Sequence, residues 1–128
     1  MSCDKEKTVF PYVPVHVTFS LSSDLSNLLV GQYKTINGYG LGGLIIYRRD
    51  FNVFQAFDRA CTYEGGNDCI LSDSEFSGVF KCPCCKSMFY MTPNNQVEPG
   101  SIFQGPANTP LKQYACSFDG SDFVTVRN

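Results

Sequence analysis

Tryptophan is absent from this 128-residue chain, and histidine occurs once, at His16. His16 is the sole imidazole and acids such as Asp58 are scattered at strand ends and turns, so we find no Ser-His-Asp or Cys-His set in the sequence. Only 17% of the residues are charged and the net charge is -2, which argues against nucleic acid as a partner. No apolar run approaches the roughly 18 residues of a membrane-spanning helix.

No long segment repeats with helical period, and the length is that of one domain. Phe (11) and Tyr (7) are abundant, while Gly (11) and Pro (7) interrupt the chain at short intervals. This composition predicts an all-β fold of many short strands. The expected strands are 15–21, 32–36, 44–49, 53–58, 70–72, 78–81, 88–91, 101–104, 112–118 and 123–126.

Two features suggest chemistry that their surroundings do not support. The glycine-rich stretch 37–43 resembles a phosphate loop, but a strand-like run follows it where a phosphate loop needs a helix. We expect a turn at which two backbones approach closely. His16 has no cysteine near it in the sequence, so we expect a surface or edge-strand residue.

The N-terminus bears on the cellular compartment. Met1, Ser2 and Cys3 precede a polar run, an order similar to the end of a bacterial lipoprotein signal, in which the cysteine carries the lipid. Residues 1–14 then form a tether, and the protein lies in the cell envelope, at the periplasmic or outer-membrane face. Its only contact with a membrane is through the lipid on Cys3. The alternative is a disordered tail with a chance cysteine.

Seven cysteines are many for this length, and three of them stand within the four residues 82–85. Cysteines serve as metal ligands or catalysts in a reducing cytosol and as disulfides in exported proteins, so the compartment decides their chemistry. Cys116 lies apart in the last predicted hairpin, where we expect a buried small hydrophobic residue.

The cysteine loops resemble those of the Rieske iron–sulfur domain over residues 53–126. That family carries Cys-x-His in one loop and Cys-x-x-His in the other. Here 61–63 is Cys-Thr-Tyr, 82–85 is Cys-Pro-Cys-Cys, and eighteen residues lie between Tyr63 and Cys82. Gly105, Pro106 and Ala107 and a closing hairpin follow in the family's order. The pattern is similar to degenerate Rieske-like domains of some bacterial lipoproteins.

The resemblance implies a small antiparallel β-sandwich or barrel over residues 15–128. A cysteine-bearing subdomain with two loops is inserted at about 57–111, and Gly105, Pro106 and Ala107 form a loop over its site. The ligand-equivalent positions are Cys61, Tyr63, Cys82 and Cys85. A Rieske centre needs two histidines, and both of their positions are changed, to Tyr63 and Cys85. The chain therefore cannot supply a true Rieske centre.

Three uses of the thiols stay open. The resemblance implies a disulfide from Cys84, shifted to Cys69, with Cys61 able to bridge to Cys82 or Cys85. Alternatively, Cys61, Cys82 and Cys85 with Cys69 or Cys84 hold zinc or a [2Fe–2S] cluster, although seven residues separate Cys61 from Cys69. Thiol redox chemistry at Cys82 and Cys85 lacks the following helix that would activate it.

The first hypothesis is accordingly a non-enzymatic, exported lipoprotein domain that binds no cofactor. Its cluster is lost, its loops are held by disulfides, and its role is structural or binding, with an unknown protein partner. The alternatives are an electron-transfer protein with a cysteine-ligated [2Fe–2S] cluster and a zinc-stabilised module.

Overall fold

A computed structural model describes residues 10–26, 28–63, 69–91 and 98–128. Cys3, the predicted lipidation site, lies outside these residues, as does most of the predicted tether. Within the described ranges no helix is long and apolar enough to cross a membrane. The regular elements of those ranges are strands: β1 His16–Ser20, β2 Tyr33–Ile36, β3 Leu44–Asp50, β4 Val53–Asp58, β5 Ser72–Asp73, β6 Val79–Lys81, β7 Met88–Tyr90, β8 Ile102–Gln104, β9 Gln113–Phe118 and β10 Phe123–Arg127.

The strands form two antiparallel sheets. The larger has six strands in the order β1-β10-β9-β4-β3-β2, and the smaller has four in the order β5-β6-β7-β8. All four strands of the smaller sheet lie in sequence between β4 and β9, which pair with each other at Ala56–Tyr114 and Phe57–Gln113. The smaller sheet is thus an insertion between two neighbouring strands of the larger one. The predicted domain boundaries stay predictions.

Strand β3 is buried on both faces and separates two hydrophobic clusters. Leu44 and Ile46 point to one side and Ile45 and Tyr47 to the other, because successive side chains of a strand alternate. This explains the uninterrupted apolar run in β3, since burying an Ile stabilises the fold by roughly 1.5–3 kcal/mol. The sheet cluster contains Val15, Phe19, Leu25, Leu28, Leu44, Ile46, Phe54, Ala56, Tyr114, Val124 and Val126. The cysteine-side cluster contains Ile45, Tyr47, Phe57, Cys61, Cys69, Leu71, Phe80, Cys82, Phe89, Met91, Ala107 and Leu111.

The all-β prediction is confirmed, including the β3–β4 and β9–β10 hairpins. His16 is exposed on the edge strand β1, as expected. Two expectations are corrected. Cys116 is only partly buried, because it packs at the margin of the sheet cluster. The predicted strand at 70–72 is reduced to an isolated bridge at Ile70 and the short β5, since the chain there leaves a cysteine loop.

The glycine-rich turn is anchored by a buried acid at the end of β4. The Asp58 carboxylate is fully buried and accepts hydrogen bonds from the backbone N–H groups of Leu41 (2.7 Å), Gly42 (2.8 Å) and Ala60 (2.9 Å). The Tyr114 hydroxyl donates a fourth, at 2.7 Å. The predicted close approach is confirmed, since a Cβ added at Gly42 would lie 2.8 Å from the Ala60 nitrogen. Sequence reasoning gave Asp58 only as one of several scattered acids and did not find these partners.

Replacing Tyr114 by Phe removes the hydroxyl donor from this carboxylate. Hydrogen bonds to charged groups contribute about 1.5–3 kcal/mol, so we expect the free energy of unfolding to fall by about that amount. Urea unfolding followed by circular dichroism measures the change. The matched control is Tyr12→Phe, because Tyr12 is 75% exposed and its substitution should change stability by less than about 0.5 kcal/mol.

The difference in stability between the wild type and Tyr114→Phe should also depend on pH. Burial, with the neighbouring Asp58, raises the pKa of Tyr114 above its ordinary value of 10.0. Because the folded state favours the neutral phenol, its contribution is complete below pH 10 and is lost at higher pH. The stability difference between wild type and Tyr114→Phe should therefore shrink above pH 10, and a constant difference would contradict this account.

Candidate functional site

Two cysteine loops leave paired strand ends and meet each other. The first cysteine loop, residues 61–69, is closed at its base by the Ala60–Ile70 bridge and by a hydrogen bond from Cys61 N–H to the Cys69 carbonyl (3.2 Å). The second, residues 82–87, joins β6 to β7 and is closed by a hydrogen bond from Cys82 N–H to the Ser87 carbonyl (2.8 Å). Residues 64–68 of the first loop lie outside the described part of the chain.

A disulfide between Cys69 and Cys84 joins the two loops, with Cα atoms 5.8 Å apart. The structure thus contains the bridge that the family resemblance implied. Fifteen positions separate the two cysteines, and closing a loop of that size stabilises the folded state by about 3 kcal/mol in the chain-entropy account. Cys69 is buried and Cys84 is exposed, so reagents in solution reach the bond through Cys84.

Three further cysteines converge beside this disulfide. The sulfur atoms of Cys61, Cys82 and Cys85 lie within 4.8 Å of one another, and those of Cys61 and Cys85 are 3.7 Å apart. Cys61 and Cys82 are fully buried, whereas Cys85 is partly exposed. The Cys82 sulfur also lies within 4.8 Å of those of Cys69 and Cys84. Five of the seven cysteines therefore form one continuous group of sulfur atoms.

A third segment, the Gly-Pro loop of residues 105–111, is held against both cysteine loops. The buried Ser87 hydroxyl oxygen accepts hydrogen bonds from the Cys85 S–H (3.1 Å) and from Ala107 N–H (3.0 Å). On the other side, the Thr62 hydroxyl donates to the Thr109 carbonyl at 2.7 Å. Ala107 packs in the same cluster as Cys61 and Cys82, so the Gly-Pro loop reaches the cysteine loops through this residue.

Sequence reasoning missed two of the groups that position these loops. Thr62 carried no signal, because a threonine between two candidate ligands has many possible partners. The position of Asp58, between an apolar strand and Cys61, is a weak indication that it has a structural role. Its hydrogen-bond donors cannot be read from the neighbouring sequence, because they come from a turn some sixteen residues earlier and from Tyr114. The two hydrogen bonds of Ser87 come from the tertiary structure and have no signal in the local sequence.

The residues at this site do not fit a Rieske cluster, which binds one iron through two histidines. By the family resemblance, the histidine positions are occupied by Cys85 and by Tyr63, which is 46% exposed. His16 is exposed on β1, a strand whose buried side chains belong to the sheet cluster and not to the cysteine-side cluster. The possible ligands that the structure brings together here are the thiols of Cys61, Cys82 and Cys85.

No protein-family model matches the chain, and no curated protein matches it either. A solved structure does. The chain is similar to a chain in the complex of reduced oxygenase and oxidised ferredoxin of carbazole 1,9a-dioxygenase, with 21% identity and a TM-score of 0.51. The chain has a Rieske-like β fold. The likeness covers 88% of this chain and 92% of the other, so it extends beyond the residues 53–126 that carried the resemblance in sequence.

The Gly-Pro loop offers a test of how the site is packed. Gly105 has a φ of +109°, and a Cβ added there would lie 2.4 Å from the Ser87 Cα. Gly105→Ala should lower the free energy of unfolding by about 1–3 kcal/mol more than Gly120→Ala, through overpacking. Gly120 is a matched control because its φ is +88° and nothing lies within 4 Å of an added Cβ.

The second measurement on these two variants is the rate of alkylation at Cys85. In Gly105→Ala the loop must move off Ser87, and Ser87 is the acceptor for the Cys85 S–H. We therefore expect faster alkylation of Cys85 in Gly105→Ala than in Gly120→Ala. Equal stability and equal alkylation rates in the two variants would show that the packing of the Gly-Pro loop against Ser87 does not affect Cys85.

Proposed function

We propose that this chain is a degenerate Rieske-like domain that has lost its iron–sulfur cluster. It is an exported, lipid-anchored protein of the cell envelope whose cysteine loops are held by disulfides. It acts as a structural or binding module for a protein partner and not as an enzyme. The observation that carries this proposal is the donor set, in which Tyr63 and Cys85 stand where a Rieske centre needs histidines.

The inter-loop disulfide supports the same proposal. In the absence of a cluster, a covalent bond between Cys69 and Cys84 keeps the two loops together. Disulfides form and persist in oxidising compartments, which agrees with an exported protein. The loops are also fastened by their paired bases and by the Gly-Pro loop, so their shape does not depend on a metal ion.

A second candidate is a metal site at the three neighbouring thiols. Two thiolates on one tetrahedral zinc lie about 3.8 Å apart, as Zn–S bonds of about 2.3 Å require, and Cys61 and Cys85 are 3.7 Å apart. Cys69 and Cys84 are bonded to each other, so neither supplies a fourth thiolate while the disulfide is intact. Zinc with one open position fits three thiols better than a [2Fe–2S] cluster, which takes four ligands.

Metal content and thiol state distinguish these candidates. The protein is purified anaerobically from its native envelope, and iron, zinc, the visible spectrum and the alkylatable thiols are measured on one sample. We expect no stoichiometric metal, no visible absorbance and a Cys69–Cys84 peptide in the mass map. A chelator should leave the melting temperature unchanged, because no ion stabilises the loops.

Either metal would contradict the proposal in a recognisable way. Stoichiometric iron with visible absorbance would indicate a cysteine-ligated cluster, whereas zinc with a chelator-dependent melting temperature would indicate a zinc module. The variant Cys85→Ser identifies the site, because it should release a metal bound by the three thiols. Cys116→Ser is the control, since Cys116 packs against the separate sheet cluster.

The proposed lipid anchor has its own test. The N-terminal peptide of protein extracted from native envelopes should carry an acyl-modified Cys3, because lipidation is what would hold the protein at the membrane. Mass spectrometry of that peptide, with detergent partitioning of the whole protein, measures it. An unmodified Cys3 and partitioning into the aqueous phase would rule the anchor out and leave the fold-based part of the proposal untouched.

A further inference from the structure

The geometry points to a thiol–disulfide exchange site formed by Cys61 and Cys85, whose substrates are low-molecular-weight disulfides and thiols. The two residues belong to different cysteine loops, and their sulfur atoms are in contact at 3.7 Å. This inference rests on the metal-free state proposed above, and it adds an activity to the loops. The pair differs from the Cys82-x-x-Cys85 pair that the sequence singles out.

The sulfur atoms of the two thiols need to move only a short distance to form a disulfide. A disulfide needs its sulfur atoms about 2.0 Å apart, so the two must approach by roughly 1.7 Å. Both loops rise from hydrogen-bonded bases, and the Cys69–Cys84 bridge already holds them side by side. The geometry for closing a second cross-link is therefore largely present before oxidation.

The burial of the two residues assigns them different roles. Cys85 is partly exposed, so of the two residues it is the one that a small disulfide from solution can approach. Cys61 is fully buried beside Cys85, so its sulfur is placed to attack a mixed disulfide that has formed on Cys85. Thiol–disulfide exchange depends on access to the attacking thiol, and oxidation of a dithiol needs a second thiol that resolves the mixed disulfide.

The exchange balances with one external disulfide as the oxidant. The Cys85 thiolate attacks one sulfur of the external disulfide, so a mixed disulfide forms on Cys85 and one thiolate leaves. The Cys61 thiolate then attacks the Cys85 sulfur, the Cys61–Cys85 bond forms, and the second thiolate leaves. The two thiol protons of the protein pass to the two departing thiolates. The protein dithiol is thus oxidised and the external disulfide is reduced to two thiols.

Oxidation has a structural consequence at Ser87. In the dithiol state the Cys85 S–H donates to the Ser87 hydroxyl, which also accepts from Ala107 N–H. Forming the Cys61–Cys85 bond removes the S–H and with it one of the two donors at that oxygen. The state of the thiol pair is thereby coupled to the Gly-Pro loop through a single buried hydroxyl group.

The test is a redox titration of the whole protein with its Cys69–Cys84 bond intact. Anaerobic, metal-analysed protein is equilibrated with glutathione and glutathione disulfide at graded ratios, quenched in acid, alkylated and mapped by mass spectrometry. We expect a Cys61–Cys85 peptide to appear with the loss of two alkylatable thiols, and to disappear again when the ratio is reversed.

Variants separate the attacking thiol from the resolving one. Cys61→Ser should trap glutathione on Cys85, because the thiol assigned to resolve the mixed disulfide is gone, and Cys85→Ser should abolish the reaction. Cys61→Ala repeats the first test if the buried serine destabilises the fold, and circular dichroism checks that each variant is folded. Cys116→Ser is the matched control and should titrate like the wild type.

Two results would overturn the inference without contradicting the proposed function. One is a metal-free protein in which Cys61 and Cys85 stay alkylatable at every ratio. The other is a Cys82–Cys85 peptide in place of Cys61–Cys85. Stoichiometric iron or zinc in the starting sample would overturn the proposed function itself, and the inference with it, and the metal analysis reveals that before the titration begins.

Discussion

The buried carboxylate of Asp58 anchors the junction between the larger sheet and the inserted smaller sheet. It stands at the end of β4, just before the inserted cysteine subdomain begins, and it binds Tyr114 on β9, just after that subdomain ends. It also binds the glycine-rich turn and the backbone of Ala60, one residue before Cys61. An unsatisfied buried carboxylate is costly, so these four donors define how the insertion leaves the larger sheet.

From that junction, backbone pairing brings the parts of the site together. Each cysteine loop is closed at its base by backbone hydrogen bonds, the disulfide joins the loops, and the Gly-Pro loop is fastened to both through Thr62 and Ser87. This redundancy explains how a Rieske-like architecture can persist without Rieske ligands. The sulfur atoms of Cys61, Cys82 and Cys85 are close together because the scaffold places them so.

Thiols that lie close together are compatible with several kinds of chemistry, and the exposure of each cysteine helps to distinguish them. A zinc ion, a disulfide and an exchange site all require sulfur atoms a few ångströms apart. A partly exposed Cys85 in front of a fully buried Cys61 favours stepwise exchange with small thiols, while the neighbouring Cys69–Cys84 bond removes two potential metal ligands. Fold likeness alone does not choose among these, because function resides in the particular groups at a site.

The sequence by itself determined the all-β class, the hairpins at β3–β4 and β9–β10, the exposed His16 and the impossibility of a two-histidine centre. These depend on local alternation, on turn residues and on counting ligands. Only the tertiary structure decided that Asp58 is buried, how closely Cys85 approaches Cys61, and that Ser87 joins Cys85 to Ala107. Those facts bring together residues 16 to 56 positions apart, and local patterns carry no record of such distant partners.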